Sequence, residues 1–197
     1  MPTVVVPFRG REGKSRLARL PLEARAALRE AMLADVLAAC DAVGATYLVT
    51  SAERRPGGAI LVPDEGRGQG AAVAAGLDHA ALAGAPAPFL VVNADLPCVT
   101  ARDLLALAGA IPDEGLALAA ALDGTTNALA LSSPELYVPL YGAGSAARFA
   151  ALAPSRRLDA PNLVDDVDTV EDLERLRGRL GPETRRAVAR LHAGAAA

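Results

Sequence analysis

Phe89-Leu90-Val91-Val92-Asn93-Ala94-Asp95-Leu96-Pro97 is the stretch on which the fold turns. Four apolar residues run on without in/out alternation, the pattern of a parallel strand covered on both faces. An amide and an acid follow at once. Ligands of open parallel sheets bind outside the carboxyl ends of the strands, so Asp95 falls where the floor of a cleft would be. A carboxylate held there is costly unless a cation or hydrogen-bond donors meet it. Mg²⁺ suits the position, being a hard ion that takes a few carboxylates and completes its shell with waters and phosphate oxygens. The plainer alternative is an Asp that caps the following turn.

Working outward, Val4-Val5-Val6, Tyr47-Leu48-Val49 and Ile60-Leu61-Val62 read the same way. Between them lies a periodic stretch over residues 23–43, with Leu28, Met32, Val36 and Cys40 at every fourth position and Gly44 as a stop. A second helical run covers residues 69–83. Alternation of apolar strands with helices predicts a doubly wound α/β sheet, mostly parallel, with helices on both faces. Thr100 with Asp103, and Thr169 with Asp172, are N-cap pairs that open two further helices. Residues 116–122 and 128–131 read as strands joined by the polar loop 123–127. Pro182 restarts a last helix, and residues 194–197 read as a frayed, disordered tail. The 197 residues suit one domain, spanning 1–193.

Composition narrows the function classes. The hydrophobic share is 52% but aromatics make up 3% and Trp is absent, which argues against a stacking platform for nucleic acid. A net charge of −3 argues the same way, and means that acidic substrates must be met by local cations or metal ions. Cys40 and Cys98 are isolated, without the spacing of a disulfide scaffold or zinc site, which points to a reducing cytoplasm. The N-terminal apolar run is short and not preceded by basic residues, so it reads as a strand and not as a signal peptide. No stretch is apolar for long enough to span a bilayer. No Gly-x-Ser-x-Gly elbow is present, and His79 and His192 fall in helix-like stretches that suit a surface role better than a catalytic base.

Four loops carry the chemistry-bearing residues. After the first strand, Pro7-Phe8-Arg9-Gly10-Arg11-Glu12-Gly13-Lys14-Ser15-Arg16 offers backbone N–H groups at its glycines. Its cations Arg9, Lys14 and Arg16 can neutralise a triphosphate as charge moves onto a leaving pyrophosphate. It lacks Walker A spacing, and a solvated basic turn is the alternative. After the third strand, Pro63-Asp64-Glu65-Gly66-Arg67-Gly68-Gln69-Gly70 leads into a helix and combines two acids that can accept from a planar base with three glycines that permit close approach, or is a plain turn. Asp166 and Asp168 alternate across Val167, so on an extended segment both project to one side and could converge on a metal with Asp95. Asp168 alone could instead be an acid favoured by a helix dipole. Gly142-Ala143-Gly144-Ser145 before the Ala-rich run 146–152 could cradle an anion on free N–H groups, with Thr125 and Thr126 adding hydroxyls, or be an ordinary helix start.

Taken in order, these segments resemble the guanylyltransferases that act on 2-phospho-L-lactate, phosphoenolpyruvate or a related phospho-acid in coenzyme F420 biosynthesis. The likeness rests on Val6-Pro7-Phe8 with Lys14-Ser15-Arg16-Leu17-Ala18, Pro63-Asp64 with Gly66 and Gly68, and Ala94-Asp95-Leu96-Pro97. It continues through Thr126-Asn127-Ala128-Leu129, Tyr141-Gly142 with Gly144-Ser145, and Asp166-Val167-Asp168-Thr169 with Glu171-Asp172-Leu173. It extends from Val4 to about Leu176. The resemblance implies a Rossmann-like nucleotide-diphospho-sugar transferase fold of the GT-A type, GTP as donor and Mg²⁺ as cofactor. It implies Asp95, Asp166 and Asp168 as metal ligands, and Thr126, Gly142 and Ser145 as contacts to the acceptor. Residues Pro7, Phe8, Arg9, Lys14, Ser15 and Arg16, with Asp64, Gly66 and Gly68, would hold the nucleotide, Lys14 and Asp95 acting in catalysis.

The reaction expected is attack by an acceptor phosphate oxygen on the α-phosphorus of GTP, with pyrophosphate leaving. Two alternatives stand beside it: a molybdopterin-type nucleotidyltransferase, whose first loop is rich in glycine with Arg-Met-Gly before the lysine, and a non-catalytic nucleotide-binding protein of the same fold. Spacing does not identify the acceptor, whether phosphoenolpyruvate, 2-phospho-L-lactate or 3-phosphoglycerate. The oligomeric state is left open, a homodimer included.

Overall fold

The computed structural model describes residues 1–9, 17, 20–51 and 57–195. Each apolar run becomes a strand: β1 Thr3–Phe8, β2 Ala45–Thr50, β3 Ile60–Pro63 and β4 Phe89–Val92, separated by α1 Leu22–Asp41 and α2 Gln69–Leu82. After α3 Ala101–Gly109 come β5 Leu116–Ala120, β6 Thr126–Leu131, α4 Ser145–Ala150 and β7 Ser155–Arg157. The chain closes with α5 Pro161–Val164, α6 Val170–Leu176 and α7 Pro182–Ala195, the last running two residues into the segment expected to fray. Among the described residues no helix is long and apolar enough to cross a membrane.

The strands form one sheet in the order β3-β2-β1-β4-β6-β5-β7. β1 to β4 are mutually parallel, β5 and β7 share their direction, and among the described residues β6 alone runs against them. From β1 the chain winds outward to β2 and β3, then returns to add β4 on the other side, so the strand order reverses between β1 and β4. A crevice opens at such a switch point, outside the carboxyl ends of the two strands.

Burial on both faces explains the unbroken apolar runs. Val4 and Val6 of β1 join Leu90 and Val92 of β4 in a core beneath α1, α3 and α5, where Leu33, Val36, Leu104, Leu107 and Leu163 cover them. Val5 and Val91 point the other way, against Val73 and Leu77 of α2 and Phe149 of α4. α2 lies close to the sheet because residue 76 is Gly: a Cβ there would sit 2.4 Å from Val5 Cγ1 and 2.8 Å from Val49 Cγ2. A third cluster joins Leu28 and Met32 of α1 to Val167, Leu173, Leu176, Leu180 and Val188, docking the C-terminal helices onto α1.

The β5–β6 hairpin departs from the sequence reading. The strand expected to reach Leu122 ends at Ala120, and Leu122 is 80% exposed. Asp123 Oδ1 accepts from the Thr125 N–H (2.9 Å) and hydroxyl (2.7 Å) and Gly124 takes φ +82°, which closes a tight turn. β6 therefore begins at Thr126, two residues earlier than expected, and returns antiparallel. Its first residues, Thr126 and Asn127, are thereby delivered to the same edge of the sheet as the end of β4, where the Asn93 N–H donates to the Asn127 carbonyl (3.0 Å).

Candidate active site

Asp95 is carried out of the core by β4, whose four residues are all buried. The loop beyond it is anchored by fully buried Leu96 and by the Pro97 carbonyl, which accepts from the Gly181 N–H at 2.8 Å. The late acidic segment arrives from the opposite end of the chain. Val167 is completely buried in the cluster under α1, and its N–H donates to the Asp95 carbonyl at 3.0 Å. Alternation across that extended segment then turns Asp166 and Asp168 away from the core. One carboxylate oxygen from each of Asp95, Asp166 and Asp168 lies within 4.8 Å of the other two, and all three residues are half-buried.

Neighbouring acids are used differently. Asp165 is clasped by Arg175 at 2.7 Å and by Arg179. Burial raises the pKa of Asp165, but the hydrogen bonds and charges of the two arginines outweigh it and hold the carboxyl below its ordinary value. Asp172 completes a capping box with Thr169: its Oδ2 accepts from the N–H groups of Thr169 (2.9 Å) and Asp168 (3.1 Å). That cap fixes the backbone of Asp168 itself. Asp35, buried on α1, accepts from the Glu183 and Thr184 N–H groups at 3.0 and 2.8 Å and so caps α7 from another helix.

A cavity of about 270 Å³ opens beside Asp95 at the switch point, lined by Pro7, Phe8 and Arg9 from the end of β1 and by Asn93 and Ala94 from the end of β4. Arg29 and Met32 of α1 and Gln69 and Ala72 of α2 complete its walls. Gln69 Nε2 donates to Asn93 Oδ1 (2.8 Å), and Asn93 Nδ2 donates to the Thr126 carbonyl (3.1 Å), so both amides are oriented across the floor. Of the residues expected to hold a nucleotide, Pro7, Phe8 and Arg9 line this cavity. Arg9 reaches towards the loop after β3, its guanidinium lying 3.4 Å from where a Cβ of Gly68 would be. In that loop Asp64 Oδ1 accepts from the Gly66 N–H at 2.9 Å, which ties its carboxylate into the turn. Lys14, Ser15 and Arg16 lie outside the described residues.

A family model, the MobA-like NTP transferase domain, matches residues 18–192. The chain belongs to the MobA-like NTP transferases. Within them it groups with the phospho-acid guanylyltransferases. It is 41% identical to the phosphoenolpyruvate guanylyltransferase of Sphaerobacter thermophilus, over 84% of this chain and 86% of that one. It is 35% identical to the 3-phospho-D-glycerate guanylyltransferase of Phenylobacterium zucineum (93% and 94%) and 34% identical to the 2-phospho-L-lactate guanylyltransferase of Natrialba magadii (86% and 80%). Among solved structures, a nucleotidyl transferase from Methanothermobacter superposes with a TM-score of 0.62 at 18% identity, over 90% of this chain and 96% of that one, a likeness of fold. The expected nucleotidyltransferase fold, with its mostly parallel sheet, is thus the one this MobA-like NTP transferase adopts.

Thr126, Gly142 and Ser145 come together in this MobA-like NTP transferase, but not in the way the sequence suggested. The Thr126 and Ser145 hydroxyls lie 3.0 Å apart, both buried, and the Gly142 carbonyl accepts the Ser145 N–H at 3.0 Å. The Ala146 N–H donates to Gly124 of the hairpin (3.2 Å). The expectation of free N–H groups at this helix start is therefore corrected at Ser145 and Ala146. Gly142 and Gly144, at φ +112° and +69°, turn the chain so that the Gly142 carbonyl meets the Ser145 N–H.

Sequence reasoning passed over Arg29, and it gave Gln69 no role. Gln69 closes the loop after β3 and opens α2, whereas Arg29 sits within α1, far from any strand end. The signal for Arg29 was its place three residues before the core residue Met32, which puts both on one side of α1.

Proposed function

We propose that this chain is a guanylyltransferase that joins GMP from GTP to a small phospho-acid and releases pyrophosphate, using Mg²⁺. The observation that carries this reading is the convergence of Asp95, Asp166 and Asp168, within 4.8 Å of one another, beside a cavity bordered by two arginines. The donor set is all carboxylate oxygen, which fits a hard divalent ion and not a soft one. Mg²⁺ bound by these residues would supply charge neutralisation between two anionic reactants.

The rest of the work falls to the protein. An acceptor phosphate is already anionic at neutral pH, so no strong base is required to activate it. An acceptor oxygen forms a bond to the α-phosphorus, the bridging bond to the β-phosphate breaks, and its electron pair leaves with pyrophosphate. Positioning and electrostatic stabilisation dominate such transfers. Gln69 and Asn93 hold fixed amides on the cavity floor, and Arg9 stands between the cavity and the Gly68 turn, a place suited to the nucleotide. By the family likeness Thr126, Gly142 and Ser145 would contact the acceptor. The relatives differ in the acceptor named, and phosphoenolpyruvate, 2-phospho-L-lactate and 3-phosphoglycerate are the three to test. By the same likeness the product feeds coenzyme F420 biosynthesis. Two free, buried cysteines suit a reducing cytoplasm.

The test is to incubate the protein with each NTP, Mg²⁺ and each of the three phospho-acids and to measure pyrophosphate. Release with GTP and at least one acceptor is expected. Silence with every pair would favour a nucleotide-binding protein that does no chemistry, and preference for another NTP would remove the guanylyl assignment.

A further inference from the structure

The cavity beside Asp95 is bordered by two cations among the described residues, Arg9 and Arg29, and their surroundings divide their roles. Arg9 extends from the end of β1 towards Gly68. Arg29 enters from α1, beside Met32, and its charge is felt with that of Asp95. The Arg29 side chain is half-buried in the cavity wall, so its guanidinium is partly desolvated.

A guanidinium in the wall of a crevice that Asp95 also lines is placed to bind a phosphate. Its planar fork matches two phosphate oxygens at once, and partial desolvation strengthens the contact. We propose that Arg29 contacts the triphosphate of the bound nucleotide at its pyrophosphate end. There it neutralises the charge that gathers on the leaving oxygen as the bond between the α- and β-phosphates breaks. This rests on the nucleotidyl-transfer reading and adds a residue to it that neither the strand-end loops nor the family likeness pointed to.

The test uses Arg29→Gln and Arg29→Lys in the full chain with inorganic pyrophosphate as the probe. Calorimetric titration in Mg²⁺ is expected to show pyrophosphate binding to the wild type, weakened about tenfold or more in Arg29→Gln and partly restored in Arg29→Lys, since only the fork is lost there. Mn²⁺ affinity, read by electron paramagnetic resonance, should stay within about twofold of wild type. In turnover, kcat/KM for GTP should fall by roughly 10²-fold while KM for the acceptor is little changed. Unchanged pyrophosphate affinity in folded Arg29→Gln would overturn the assignment. So would a parallel loss of Mn²⁺ binding, which would mean that Arg29 acts by positioning Asp95. Should Arg29→Gln fail to fold, Arg29→Lys decides by the same titration, an unchanged affinity counting against the proposal. A wild type that binds pyrophosphate through Arg29 but releases none from any NTP would sink the transfer reading and leave the phosphate contact standing.

Discussion

Two sets of carboxylates in this molecule do opposite things. Asp35, Asp165 and Asp172 fasten the chain: their oxygens are taken up by backbone N–H groups of α7 and of the α6 cap, and by Arg175 and Arg179. Asp95, Asp166 and Asp168 instead crowd one another within 4.8 Å. Like charges at that separation repel by about 1–4 kcal/mol per pair in surroundings between bulk water and a protein surface. Folding holds them there because buried Val167, the hydrogen bond from its N–H to the Asp95 carbonyl, and the Thr169–Asp172 cap leave the backbone no other course. Acids one residue apart, such as Asp165 and Asp166, are thus sorted into fastener and ligand by which side of the strand-like segment they occupy.

The sharpest way to break this comparison is to neutralise each set in turn. Asp95→Asn or Asp168→Asn should lower turnover by about 10²-fold or more, with the unfolding midpoint close to wild type. A variant that kept near wild-type rate at saturating Mg²⁺ would remove its residue from the reacting set. Asp35→Ala should do the reverse, lowering unfolding free energy by about 1–3 kcal/mol in urea titration because the buried Thr184 N–H and the neighbouring Glu183 N–H lose their acceptor, while kcat of the folded fraction is retained. An unaltered urea midpoint would show that α7 does not depend on that cap.

Smaller effects sharpen it. Thr126→Val and Ser145→Ala should each cost about 1 kcal/mol, with the double variant less than additive because the hydroxyls are partners. Full additivity in the cycle would deny the pairing. Asp165 has a folded pKa below its ordinary 3.8, so its stabilisation is fully present above that value and is lost as pH falls through the lower folded one. Wild type should therefore exceed Asp165→Asn in stability by no more than about 1 kcal/mol near neutral pH, the arginines being partly exposed, with the gap closing below pH 3.8. A gap independent of pH would assign the effect to packing.

Strands and helices were legible where burial imposes a pattern. The runs that became β1, β2 and β4 are apolar because helices cover both faces, while edge strand β3 is only partly covered, and the two Thr–Asp caps were visible as capping boxes before α3 and α6. The same uniform burial hid the direction of β6, since a strand covered on both sides reads alike in either sense. Its start at Thr126 and Asn127 looked like loop because polar side chains there are satisfied by tertiary partners, Ser145 and the Val164 carbonyl. β7, Ser155–Arg157, is exposed along its length and has no apolar signature. At the site, the convergence of the three acids was legible from Asp-Val-Asp alternation and strand-end position. Arg29 was not, because its approach to Asp95 depends on how α1 crosses the sheet, which no local spacing encodes.

The most direct measurement is Mn²⁺ binding by electron paramagnetic resonance to the wild type, Asp166→Asn, Asp168→Asn and Asp165→Asn. Saturable binding is predicted for the wild type and for Asp165→Asn, and affinity about tenfold or more weaker in the other two. Equal affinity in all four proteins would contradict the account, because the gathered carboxylates would then hold no cation.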